Sequence, residues 1–217
     1  MIVPTRGKIV PVEFLAGAKP KVWLSDRLAA QCNHADAHQV CLAHLIRDAQ
    51  YAIDAGDSIF APAFKAFLQK ACAIGRRRPE LADATIARYA RELVAERDRV
   101  LRLPATATAG ADLRASVSVG SREKLLVFMT RRDVEPTNNS SERELRPSVI
   151  MRKVTGGFRS VWSAEAPLRL GAESYADIRS IVATGRLNGR SPLDAIRAAL
   201  ATATAPAALP APDAAPA

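Results

Sequence analysis

The chain has 217 residues, room for one domain of ordinary size or one domain carrying an insertion. Hydrophobic residues make up 48% of it, which excludes disorder throughout, and 31 Lys and Arg against 22 Asp and Glu leave a net charge of +9 that favours an acidic partner, most simply nucleic acid. No run approaches the length of a membrane span, Met1 to Arg6 lacks the pattern of a secretory signal, and three cysteines are too few for a disulfide framework, so a cytoplasmic setting with free thiols and no membrane contact is expected.

Ile9, Val10, Val12, Phe14 and Leu15 suit a short helix or a strand, ended by Gly17 and Pro20. Lys21 to Ser25 is short, β-prone and bounded by Pro20 and Asp26, so it reads as a buried strand whose C-terminal end delivers a carboxylate. A second apolar run, Gln39 to Ala43, reads as a neighbouring strand, with a helix from about Leu45 to Ala55. Phe60, Phe64, Phe67, Leu68, Ala71 and Ile74 then recur at helical spacing, and Arg76-Arg77-Arg78-Pro79 ends that helix. Leu81, Ile86, Tyr89, Ala90, Leu93, Val94 and Leu101 mark a longer, highly charged helix. Pro104 to Gly110 reads as a loop of small residues, followed by a helix from about Ser121 to Arg132. Pro136 to Ser141 is a run of turn and cap residues, with Glu142 three positions after Asn139 as in a capping box, so a helix starts here and is expected to turn Leu145 and Val149 inward. Tyr175, Ile178, Ile181 and Val182 mark another helix, and Ser191-Pro192-Leu193-Asp194 opens a last one with an N-cap Ser and Pro at the first helical position. Of the 17 residues from Ala201 to Ala217, 13 are Ala or Pro, a composition expected to be disordered.

Strand-end acids such as Asp26 are a common way to hold a divalent cation in phosphoryl-transfer sites, yet the same residue also suits a helix cap, and Glu142 also suits capping with an ion pair to Arg146. The residue types alone leave both open. Cys32, His34, His38, Cys41 and His44 are zinc-ligand types within thirteen residues, but their spacing matches no paired finger; Cys41 and His44 read instead as a local structural pair at a strand-to-helix junction, with His44 steadying the loop that carries Asp26. Arg143, Arg146, Arg152, Lys153 and Arg159 against Glu144 form the densest basic segment, the closest approach here to a phosphate-facing patch.

Three blocks, Trp23-Leu24-Ser25-Asp26, Gln39 to Asp48 and Pro136 to Pro147, resemble successive blocks of the bacterial insertion-sequence-66 family of DDE transposases, and the last is the most specific. The resemblance runs from about Arg6 to Leu200. It implies an α/β fold that is mostly helical overall: an incomplete ribonuclease-H-like core carrying a large α-helical insertion. The expected divisions are residues 1–58 for the part of the core with the second acid, 59–132 for the insertion, 133–200 for the C-terminal helices of the core with the third acid, and 201–217 for the tail. It also implies Asp26 and Glu142 as catalytic carboxylates binding Mg2+ or Mn2+, Asn138 and Asn139 shaping the turn before Glu142, and Arg143, Arg146, Arg152, Lys153 and Arg159 contacting DNA phosphates at terminal inverted repeats. In that family the first Asp lies on the first core strand. Here Glu13 is the only acid before Asp26, so the chain is expected to be the C-terminal part of a transposase, associated with the nucleoid, inactive alone and dependent on self-association or a missing N-terminal part. The alternative expectation is a non-catalytic, basic DNA-binding or interaction module.

Overall fold

The structure is a computed structural model that describes residues 7–154 and 172–203. Its contacts form two compact units, one of Thr5–Arg143 and one running from Glu144 onward. The architecture is mostly helical, with a two-stranded parallel sheet. The expected C-terminal tail and Arg159 lie largely or wholly outside the described residues.

In the first unit the ambiguous opening segment is a helix, α1 (Ile9–Leu15), which ends where Ala16 and Gly17 turn into the left-handed region at φ 46° and 85°. Strand β1 (Val22–Ser25) pairs in parallel with β2 (Ala37–Val40), Ser25 opposite Val40. The second strand thus stops earlier than the apolar run suggests. Cys41 is the N-cap of α2 (Leu42–Asp54), so the helix begins three residues before its expected start and its Leu42, Leu45, Ala49 and Ala52 form one buried face. Continuous apolar runs of this length fit a buried strand or a buried helix start equally well, which is why periodicity misplaces the junction.

Helix α3 (Phe60–Arg77) buries Phe60, Phe64, Phe67, Leu68, Ala71 and Cys72, with the rings of Phe60 and Phe64 stacked at 5.3 Å. Asp57, itself buried, starts it: Oδ1 accepts hydrogen bonds from the amides of Ile59 (3.1 Å) and Ala61 (3.2 Å), two of the donors a helix start leaves unpaired. Helix α4 (Asp83–Leu101) returns along α3, burying Ile86, Leu93, Arg97 and Val100. The expected loop up to Gly110 is in part the start of α5 (Thr108–Gly120), which packs against α2 and α3.

Residues 121–132 are not the expected α-helix but two 3-10 turns, Arg122–Lys124 and Val127–Thr130. Buried side chains outbid the helix for its backbone. Gln39 of β2, fully buried, donates to the Leu125 carbonyl (3.1 Å) and accepts from the Phe128 amide (2.9 Å). Arg78, 2% exposed, donates to the carbonyls of Phe128, Arg131 (2.8 Å), Arg132 (3.2 Å) and Val134 (2.6 Å). Neutral and charge-assisted hydrogen bonds of this kind satisfy the groups an α-helix would pair internally.

Helix α6 (Asn139–Val154) begins where the turn residues place it and carries Pro147. Leu145 and Val149 are not inward: they are 63% and 45% exposed, because no described element covers that stripe. In the unit from Glu144 onward, α7 (Ala172–Leu187) and α8 (Pro192–Ala203) form a hairpin so close that a Cβ on Gly185 would fall 2.4 Å from the Ala195 Cβ. The expected cap is present at α8: Ser191 Oγ accepts from the Asp194 amide (3.2 Å) and donates to its carboxylate (2.6 Å).

Candidate active site

The chain leaves β1 at Asp26, whose Oδ1 accepts a hydrogen bond from the Leu28 amide (3.1 Å) and so closes a tight turn. Arg27, the next residue, ties that turn to two helices: it reaches Asp48 of α2 at 2.6 Å and Ser116 of α5 at 2.8 Å. Ser25, buried just before it, donates from Oγ to the Asp26 carbonyl (2.9 Å), leaving its lone pairs to His38 Nε2, 3.0 Å away. Burial is the largest influence on His38 and pulls its pKa below the ordinary 6.5; Lys124 acts in the same direction, and Asp26 opposes both.

That depression has a pH signature. The folded protein binds this proton less readily than the unfolded chain, so the contribution of His38 to stability is intact above about pH 6.5 and is lost as pH falls below it toward the folded-state value. We expect urea midpoints of the wild type to fall over that window more steeply than those of His38→Gln, measured from pH 7.5 to 5; parallel curves would contradict the assignment.

Glu142 reaches the same end of the sheet by a long detour. Pro136 packs on α3 at Gly75, where a Cβ would meet its ring Cγ at 2.9 Å, so only glycine lets the segment lie this close. The Pro136 carbonyl then accepts from the Leu42 amide (3.0 Å), and the Asn138 amide donates to Cys41 Sγ (3.4 Å). Both partners belong to the first turn of α2, immediately beyond β2. The Glu142 amide caps back onto the Asn138 carbonyl (3.0 Å), and its Oε1 lies 3.4 Å from His44 Nε2. His44 therefore faces Glu142 rather than the Asp26 loop, while among the described residues its Nδ1 and Asn138 Oδ1 are buried without hydrogen-bond partners. The first turn of α2 thus gathers Cys41, His44, Asn138 and Glu142. Asn139 is exposed at the start of α6.

Among the described residues, no group of three or more His, Cys, Asp or Glu side chains could hold a metal ion. The five zinc-type residues go to separate partners: Cys32 to the Leu28 carbonyl, His34 to the Ala30 carbonyl, His38 to Ser25, Cys41 to Asn138 and His44 to Glu142. Asp26 and Glu142 do not by themselves fit a two-metal centre. Of the basic candidates, Arg143, Arg146 and Lys153 are exposed, and the Arg152 side chain and Arg159 lie outside the described residues.

Sequence reasoning missed four residues that build this site: Gln39, Gly75, Arg78 and Arg27. Gln39 opens one of the family-like blocks and Arg78 ends a run of arginines, but nothing in either motif marks that side chain as a buried hydrogen-bonding anchor.

No curated protein and no solved structure matches the chain. The model of the Transposase IS66 family matches residues 1–166, which include both strands, the Asp26 turn and the whole Pro136 to Glu142 block. A match over most of the chain, carrying both candidate acids, makes this protein a member of the IS66 family of transposases.

Proposed function

We propose that the protein serves DNA transposition, with Asp26 and Glu142 as two of the carboxylates that hold Mg2+ or Mn2+ at a phosphodiester, and that it performs no cleavage or strand transfer by itself. The observation that carries this reading is the return of the Glu142 segment onto the first turn of α2, beside the strand end that bears Asp26. A parallel strand pair feeding a helix suits part of a ribonuclease-H-like core, and an acid in the first turn of a docked helix is a rigid metal ligand. A further carboxylate completes the set, because the described residues bring no third one to these two. When bound, the metal pair would supply Lewis-acid stabilisation and an activated nucleophile. The chain's own contribution is to hold Asp26 through the Leu28 amide and Glu142 against His44. Exposed Arg143, Arg146 and Lys153, together with Arg152 and Arg159, would contact phosphates of terminal inverted repeats.

The test is purified protein with Mg2+ or Mn2+ and DNA bearing element ends. Binding without cleavage or joining is expected, and Asp26→Ala or Glu142→Ala should leave the DNA affinity unchanged within about twofold, since each removes one partly exposed negative charge. Robust strand transfer by the wild type would overturn the proposed dependence on a further acid. A basic DNA-binding module remains the second reading, favoured by the same lack of a three-acid group among the described residues; binding that ignores element ends and falls steeply with salt would select it.

A further inference from the structure

Helix α4 carries a row of arginines that neither the candidate active site nor the basic segment of α6 uses. Arg88, Arg91, Arg99 and the C-cap Arg102 are all exposed. At 100° per residue they fall within an arc of about 80°, and at 1.5 Å per residue they span about 21 Å. Ala95 lies within that arc and leaves the row unobstructed. The opposite face buries Ile86, Leu93, Arg97 and Val100, so the row points directly away from the core.

The acids of the helix neutralise one member of the row at most. Glu96 is taken by Lys70 of α3 (2.6 Å), and Asp98 by Arg97 (2.8 Å) and Arg122 (3.0 Å). Glu92 pairs with Arg88 at 3.3 Å, and among the described residues Arg91, Arg99 and Arg102 have no carboxylate partner. A solvated helix face normally intersperses both signs, and favourable placement near a helix C-terminus explains Arg99 and Arg102 but not Arg88 and Arg91, two turns or more upstream. All four are Arg rather than Lys, the side chain whose planar fork matches phosphate.

We propose that the outer face of α4 is a second DNA-contacting surface, lying along the backbone of a duplex. The proposal rests on the reading that the protein handles DNA and adds where the helical insertion meets it. One strand of a duplex carries a phosphate about every 3.4 Å of axis, so a row of about 21 Å faces some six of them, enough for four contacts.

The full chain is titrated onto a fluorescently labelled 30-base-pair duplex of arbitrary sequence between 50 and 200 mM KCl. The variant is Arg88→Gln/Arg91→Gln/Arg99→Gln/Arg102→Gln, and the charge-matched control is Lys8→Gln/Lys21→Gln/Arg186→Gln/Arg190→Gln, all at exposed positions. The α4 variant should bind about tenfold or more weakly at 100 mM KCl, with a log–log salt slope shallower by roughly three to four, while the control keeps most of the slope. Should the quadruple variant fail to melt like the wild type, the single variants Arg91→Gln and Arg99→Gln each carry the test, with an expected slope change of about one. Unchanged slopes, an equal loss in the control, or tighter binding of a single-stranded RNA of the same length would each overturn the proposal. No duplex binding by the wild type even at 50 mM would instead defeat the reading that the protein handles DNA.

Discussion

Arg78→Met should unfold at markedly lower denaturant, with a loss of about 3–5 kcal/mol and a melting temperature lower by roughly 10 °C or more. The side chain is buried, has no carboxylate partner within hydrogen-bonding distance among the described residues, and divides its donors among four backbone carbonyls between Phe128 and Val134. Its charge is further set over the Phe128 ring, with the guanidinium carbon 5.5 Å from the centroid. Burial pulls its pKa below the ordinary arginine value and the Glu135 carboxylate opposes that, but a guanidinium stays charged in the neutral range. Methionine keeps most of the volume but strands several carbonyls without donors, the costlier side of the hydrogen-bond asymmetry. Arg78→Lys should recover less than half of the loss, since a single ammonium cannot reach four acceptors spread over seven residues. Urea denaturation followed by circular dichroism measures both. A loss below about 1 kcal/mol for Arg78→Met would show that the 127–134 segment holds itself.

Gly110→Ala should cost about 2–4 kcal/mol, far more than the usual gain from replacing a helical glycine by alanine. The reason is Asp57. A Cβ at Gly110 would fall 1.6 Å from Asp57 Oδ2 and 2.5 Å from Cγ, and the aspartate cannot retreat without giving up the amides of Ile59 and Ala61 that it caps. The clash therefore removes the α3 cap as well as straining α5. The double variant Asp57→Ser/Gly110→Ala should be more stable than Gly110→Ala alone, because the shorter side chain makes room for the methyl group while keeping a capping oxygen. Simple additivity of the two single effects in that cycle would refute direct steric coupling.

The sequence made some of this legible and concealed the rest, for reasons that differ from one element to the next. The aromatic and aliphatic stripes of α3 and α4 could be read because helix burial has a period and each residue reports its own face. The Ser191 cap of α8 could be read because the whole motif is local. The segment after Gly120 could not, because its conformation is decided by Gln39 and Arg78, one in a strand far upstream and the other at the end of a helix. Its own residues are good helix formers, and propensity yields to tertiary hydrogen bonds. Leu145 and Val149 show the converse: a correct periodicity that finds no covering partner among the described residues. At the candidate site, the block that places Glu142 was visible as a motif, but its docking through Pro136, Gly75 and Leu42 was not. Steric room on one helix and a free amide on another leave no local trace.

The same dependence has a consequence for how the molecule assembles. Helices α2, α3 and α4 are joined by short connections and can form from neighbouring contacts, whereas the turns ahead of Glu142 have nearly all their anchors more than forty residues upstream. Contacts of such separation form late, after the entropy of closing the loop has been met by structure already in place. Glu142 therefore comes to rest beside α2 near the end of folding. A chain halted before that step would hold a compact helical body and an idle strand pair, with Glu142 not yet docked against His44 of α2.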